Sequence, residues 1–224
     1  MLKIFKDYLY SKYIKPELKN QKRNQRKNFL CNTIPRQIHF LNALNNIKNI
    51  EGCIAEAGVR NGDSLLFLAG ASKSLSMQRK ILGFDSFEGF PSDFYEKEDK
   101  KKPTPELTKT EAIAYVEELL NNGGFSKEEF ELIPGYFRES LKNFDPGPIA
   151  LLHIDVDLGS SYKEALESLY PHVSIGGIVL FDEYYLEFTK YKDAKSAIDG
   201  YLAGKDFEKF DTGYSKKLAI RKLS

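Results

Sequence analysis

Cysteine is nearly absent from this chain of 224 residues. The two present, Cys31 and Cys53, cannot build a disulfide framework and lack the spacing of a metal-ligand pair. Net charge is nearly absent too: 33 Lys and Arg oppose 32 Asp and Glu, a balance of +1. A protein that coats duplex nucleic acid carries a larger basic excess, so no nucleic-acid partner is expected. No run approaches the roughly 18 apolar residues that cross a bilayer. The opening MLKIFKDYLYSKYIKPELK spaces lysines every few residues and has no long apolar segment, so neither a signal peptide nor stable membrane insertion is expected. A soluble, cytoplasmic protein is the expectation. What is present in quantity is core and surface material. With 42% hydrophobic and 29% charged residues, the chain is not collagen-like, mucin-like or wholly disordered, and its length suits one generous domain.

Residues 1–34 read as an arm: an amphipathic helix over Leu2 to Lys19, then the polar link NQKRNQRKN. Such an arm docks loosely, and a homo-oligomer contact or a cover over substrate is the role it offers. From residue 35 to 224 a single domain is expected. In RQIHFLNALNNIKNI, the three-residue steps of Ile38, Leu41, Leu44 and Ile47 predict a helix with those residues on its buried face. His39, beside that face, is read as a packing or substrate-lining residue. Short apolar runs (CIAEAG, ILGFDSF, FELIPGYF, IALLHIDVD, GGIVLFDEY) then alternate with helical segments near 62–77, 111–122, 160–171 and 190–203. Apolar strands separated by helices predict an α/β fold with a parallel sheet covered on both faces. The tail FEKFDTGYSKKLAIRK adds an antiparallel hairpin turning at Thr212 and Gly213, giving a mostly parallel seven-stranded sheet. The charged, proline-containing stretch 92–110 breaks the rhythm and reads as a lid at the edge where ligands bind.

The first strand closes in Glu56-Ala57-Gly58-Val59-Arg60-Asn61-Gly62-Asp63-Ser64. Glycines there let backbone approach a ligand at the carboxyl edge of the sheet, although the run departs from the G-x-G-x-x-G dinucleotide fingerprint. A pyrophosphate would meet two carboxylates, Glu56 and Asp63, at the helix start, where unpaired N–H groups normally attract an anion. Those carboxylates favour a cation instead, such as the ammonium or sulfonium of S-adenosylmethionine. Asp85, at the end of the neighbouring strand, is placed to accept both hydroxyl protons of a ribose. Gly135, Tyr136 and Phe137 end the third strand, where backbone and an aromatic ring can border an adenine.

His153-Ile154-Asp155-Val156-Asp157 ends the fourth strand and Asp182-Glu183-Tyr184 ends the fifth. In a doubly wound sheet these ends are neighbours, and four converging carboxylates repel one another unless something compensates. A hard divalent cation does so, Mg²⁺ first and Mn²⁺ as a substitute. Capping of the helix near Gly159 would account for Asp157 alone. A hydroxyl held by such a metal loses its proton more easily, and Asp157 is placed to take it. His153 reads as a core histidine and His172 as a solvent-facing one.

The blocks EAGVRNGDS, GFDSFEGFP and HIDVDLGSSYKEALESLYPHVSIGGIVLFDEY cover most of positions 51 to 185. At these residues the sequence resembles the macrocin O-methyltransferase family, metal-dependent enzymes that methylate sugar hydroxyls of natural products. The resemblance implies the Rossmann-like class I methyltransferase fold, S-adenosylmethionine and Mg²⁺. It implies metal ligation by Asp155, Asp182 and Glu183, with Asp155 and Asp157 catalytic and Asp157 the base. Cofactor contacts are then expected at Glu56, Ala57, Gly58, Asn61 and Ser64, at Asp85 and Ser86, and at Gly135, Phe137 and Asp155. Here the acidic pair is Asp-Glu where the family usually has Asp-Asp, and Val156 stands where it usually has Gly. A hydroxyl of a sugar or glycosylated small molecule is the expected acceptor. A nicotinamide-dependent oxidoreductase and a cofactor-binding domain without turnover are the alternatives.

Overall fold

In the computed structural model of the chain, residues 24, 32–92, 94, 106–185 and 192–224 are described. The expected helix over 2–19, all of its polar link but residue 24, and most of the 92–110 insert lie outside the described residues. The end of that insert does not: Lys109 and Thr110 already belong to a helix.

Chain order is α1 (Ile34–Asn46), β1 (Cys53–Ala57), α2 (Asp63–Ser74), β2 (Ile81–Asp85), α3 (Lys109–Asn122) and β3 (Phe130–Pro134). There follow α4 (Phe137–Ser140), β4 (Ile149–Ile154), α5 (Gly159–Leu169), β5 (Val173–Phe181), α6 (Asp193–Leu202), β6 (Phe207–Lys209) and β7 (Leu218–Lys222). The seven strands run in the order β3-β2-β1-β4-β5-β7-β6. Strands β1 to β5 pair in parallel, and β7 lies antiparallel to both β5 and β6. The hairpin expected at the tail is therefore present, although its connection is longer than a two-residue turn. From β1 the chain winds outward through β2 to β3, then crosses back to β4. That reversal opens a crevice at the carboxyl ends of β1 and β4, the place where doubly wound sheets bind ligands.

The strands are short apolar runs buried on both faces, and side-chain alternation divides them between two layers. Cys53, Ala55 and Ala57 of β1 face a cluster with Tyr162 and Leu166 of α5 and Ile198 of α6. Ile54 faces the other layer, with Phe40 and Leu44 of α1, Leu65 and Leu68 of α2 and Leu120 of α3. Each of these residues is fully buried except Phe40, at 2%, and Cys53, at 8% exposed. Burial of an aliphatic or aromatic side chain of this kind stabilises by about 1.5–3 kcal/mol.

The face expected for α1 needs correction. Leu44 and Ile47 are buried, but Ile38 is 44% and Leu41 36% exposed, while His39, Phe40 and Ala43 are inside. Steps of three drift backwards around a helix with 3.6 residues per turn. The true stripe mixes steps of three and four (His39/Phe40, Ala43/Leu44, Ile47) and carries a polar residue in its first position.

Candidate active site

Parity along the central strands carries Glu56 and His153 to the α1 side of the sheet. They sit at adjacent positions of β1 and β4, where their Cα atoms are partners. Both are buried, and His153 Nδ1 lies 2.7 Å from Glu56 Oε1 in a hydrogen bond. Phe40 of α1 closes over the imidazole, edge to face, with ring centroids 4.9 Å apart. The core reading of His153 therefore holds. Glu56 Oε2, buried as well, has no hydrogen-bond partner among the described residues.

The turn after β1 needs its glycines. Gly58 has φ +93°, and a Cβ there would lie 1.9 Å from the main-chain oxygen of Asp155. Gly62, at φ +81°, is the N-cap of α2. Arg60, between them, adopts φ 51° and donates its N–H to Asp85 Oδ2 at 2.8 Å. Phe87, also left-handed at φ 56°, donates its N–H to Asp85 Oδ1 at 2.7 Å. Main-chain donors thus fix both oxygens of Asp85, and each oxygen keeps a lone pair for another donor. Beyond Asp85, Glu88 N–H donates to Ser86 Oγ, and that hydroxyl donates to the Gly89 carbonyl. Gly135 N–H donates to the Asp85 carbonyl at 2.8 Å, so the β3 end lies beside the β2 end. Phe137 packs into the core beside Leu141, and the half-buried ring at this edge is Tyr136. Asn61 is exposed and Ser64 half-buried on α2's first turn; Ala57 is fully buried.

Asp155, Asp157, Asp182 and Glu183 all lie past the ends of β4 and β5. Ligand atoms of Asp155, Asp157 and Glu183 fall within 4.8 Å of one another, and so do those of His153, Asp155 and Asp182. Asp155 belongs to both groups. Asp157 is at φ 62°, in the centre of a tight turn closed by Leu158 N–H to the Val156 carbonyl at 2.7 Å. It is not the N-cap of α5: Leu158 holds that position, and Gly159 N–H donates to Asp193 Oδ2 of α6 at 3.1 Å. Glu183 N–H donates to the buried Tyr162 hydroxyl, which in turn donates to the Ile154 carbonyl, both at 3.0 Å. Burial pushes the Tyr162 phenol well above its ordinary range, so it stays a neutral hydrogen-bonding post.

Repulsion among the carboxylates is answered by two basic residues that sequence spacing did not single out. Arg36 Nη2 lies 2.6 Å from Asp155 Oδ2 and 3.3 Å from Asp182 Oδ1. Lys217 Nζ lies 2.6 Å from Asp182 Oδ2 and donates also to the Asp182 carbonyl at 2.8 Å. Burial disfavours the Asp182 charge, but Arg36, Lys217 and His153 outweigh it and hold the carboxyl below its usual range. Arg36 is held charged in the same way, its desolvation outweighed by Asp182 and Asp155.

The sheet order, with one strand inserted antiparallel at β7, and the glycine turn facing a crevice at the β1/β4 reversal define a Rossmann-like class I methyltransferase fold. Solved structures agree. "O-methyltransferase NovP" superposes with a TM-score of 0.67 at 22% identity, over 85% of this chain and 81% of that one. "CalS11, Calicheamicin Methyltransferase" gives 0.63 at 26% identity, over 89% and 80%.

The chain belongs to the Macrocin-O-methyltransferase (TylF) family, whose model matches residues 34–209. Among curated relatives, the demethyldecarbamoylnovobiocin O-methyltransferase of Streptomyces niveus is 30% identical over 161 residues, 69% of this chain and 60% of the relative. The mycinamicin III 3''-O-methyltransferase of Micromonospora griseorubida is 25% identical over 142 residues, 60% of this chain and 56% of the relative. The matches thus span about three fifths of these relatives' length.

Proposed function

We propose that this chain is an S-adenosylmethionine-dependent O-methyltransferase that methylates a hydroxyl of a sugar or glycosylated small molecule. The observation that carries the reading is the meeting, at one crevice, of a glycine turn, a main-chain-anchored Asp85 and the carboxylates Asp155, Asp157 and Glu183. A relative of Streptomyces olivaceus named as an 8-demethyl-8-(2,3-dimethoxy-alpha-L-rhamnosyl)-tetracenomycin-C 4'-O-methyltransferase supports the acceptor class.

The residues fit the methyl donor. Gly58 leaves the β1 turn without a side chain, and Asp85 keeps lone pairs for ribose hydroxyls. The buried Glu56 Oε2, without a hydrogen-bond partner among the described residues, suits the ammonium end. Ser64 on α2, Ser86 after β2 and Gly135 after β3 line the same edge. The donor set also fits a hard divalent ion, Mg²⁺ or Mn²⁺, since Asp155 shares one group of ligand atoms with Asp182 and another with Glu183. When bound there, the ion lowers the pKa of an acceptor hydroxyl and fixes its direction. Asp157 takes the hydroxyl proton as the oxygen attacks the methyl carbon; the S–CH3 bond breaks with its electron pair returning to sulfur, so the acceptor leaves as a methyl ether and the donor as neutral S-adenosylhomocysteine. Tyr162, through its bond to Glu183 N–H, holds the main chain of the acidic pair in register with β4.

Calorimetric titration of S-adenosylmethionine and its demethylated product, with Mg²⁺ and again with EDTA, tests the cofactor. Micromolar binding that Asp85→Ala weakens by about 2 kcal/mol or more is expected, since charged hydrogen bonds are worth about 1.5–3 kcal/mol each. Absence of binding under both conditions overturns the proposal, and binding without transfer to any vicinal diol returns the chain to a cofactor-binding domain.

A further inference from the structure

We propose that Arg36 occupies the cation position between Asp155 and Asp182 whenever no divalent ion is bound, and that metal binding displaces it. The inference rests on the metal-assisted reading above. One nitrogen, Nη2, bridges an oxygen from each strand end, at 2.6 Å from Asp155 and 3.3 Å from Asp182. The ligand atoms of these two residues and His153 lie within 4.8 Å of one another, so Nη2 takes the space a bridging ion needs. Two cations cannot share that space. The relation between guanidinium and metal is therefore exchange, not addition.

A second observation shows which of the two basic residues yields. Arg36 Nε is buried with no hydrogen-bond partner among the described residues, so the guanidinium is not fully satisfied where it lies. Swinging outward returns that N–H to water. The path is short, because Arg36 stands in the first turn of α1 and its side chain is 32% exposed. Lys217 is 13% exposed and holds the other oxygen of Asp182 together with its carbonyl, leaving Oδ1 turned to the cluster. Lys217 is the resident counter-charge and Arg36 the exchangeable one. The apparent metal affinity is then the intrinsic affinity scaled by the fraction of molecules that Arg36 has left. If Arg36 is home in about nine molecules of ten, that factor is about tenfold.

The test is Mn²⁺ binding to the full chain, read from the electron paramagnetic resonance signal of free Mn²⁺. Arg36→Met is expected to bind Mn²⁺ about tenfold or more tightly than the wild type, with Arg36→Lys between them. The gain is expected to persist at about 0.5 M salt, where the field of a part-exposed charge is screened but occupancy of a site is not. Unchanged or weaker Mn²⁺ binding in either variant, a gain that vanishes in salt, or no Mn²⁺ binding by any form overturns the exchange. S-adenosylmethionine calorimetry on the same proteins separates the two readings. Cofactor binding with no Arg36 effect on Mn²⁺ sinks the exchange alone, whereas the Mn²⁺ gain without cofactor binding sinks the transferase reading alone.

Discussion

Asp157 is held at φ 62°, a conformation that costs an L-residue of this kind about 1–2 kcal/mol and that Asn and Asp tolerate best. The turn aims its carboxylate to the group formed with Asp155 and Glu183 rather than into the α5 N-terminus, which Asp193 serves. Asp157→Asn separates geometry from chemistry, because asparagine keeps the left-handed backbone but cannot take a proton. Methyl transfer should fall at least about 100-fold while the thermal midpoint and S-adenosylmethionine affinity stay within error. A variant that keeps its rate within about tenfold would remove Asp157 from the role of base. Such residues were legible because each closes a strand. The need for compensating charge was legible too, but not its source: Arg36 lies 119 residues from Asp155, and Lys217 lies 35 from Asp182. Neither separation leaves a pattern in one sequence.

At the scale of elements, the strands were readable because each is a continuous apolar run between turn residues, and parallel burial on both faces demands that composition. Helix faces were less so. In α1 the buried stripe contains His39, whose polarity hides it from a hydrophobic count until Thr212 is seen to satisfy it. The start of α3 falls inside the stretch that reads as an insert for a related reason, since TKTEA is polar and follows prolines. Its signal is local: Thr108 Oγ1 accepts from Glu111 N–H, and Glu111 accepts from Thr108 N–H, a complete capping box. The Thr108 hydroxyl, donating to the same carboxylate at 2.7 Å, and then the Thr108 N–H hold the Glu111 carboxyl below its usual range. Thr108→Ala should cost about 1 kcal/mol, a drop of about 2–4 °C in thermal midpoint for a domain of this size, and Thr108→Ser should recover most of it. Equal midpoints for all three proteins would show that tertiary contacts, not the cap, fix this end.

Across the whole molecule, α1 and the C-terminal segment close on each other over the site. His39 Nδ1 bonds Thr212 Oγ1, Asn42 donates to the Thr212 carbonyl at 2.8 Å, and Arg221 reaches Asn46 at 3.3 Å. The same two segments supply Arg36 and Lys217, so the closure also sets the charge of the carboxylate cluster. It carries a pH dependence. Burial, reinforced by His153, Lys217 and Arg36 and opposed by Asp182, pushes the His39 pKa down to about 3. An unfolded histidine titrates near 6.5, so below that pH the unfolded chain binds a proton that the folded chain refuses. The stability due to a neutral His39 is therefore complete above about pH 6.5 and declines as pH falls towards 3, by about 1.4 kcal/mol per pH unit. Asp182, held low, adds a loss in the same direction only below its unfolded value near 3.8. Between pH 7 and pH 5, urea unfolding of the wild type should lose about 2 kcal/mol more than His39→Gln, which can still bond Thr212 but does not titrate. Hydrogen exchange should show α1 opening first as acid is added, because protonation acts on the bond that ties it down. Parallel pH curves for the two proteins would mean that His39 accepts its proton without leaving Thr212, and that acid reaches this fold elsewhere.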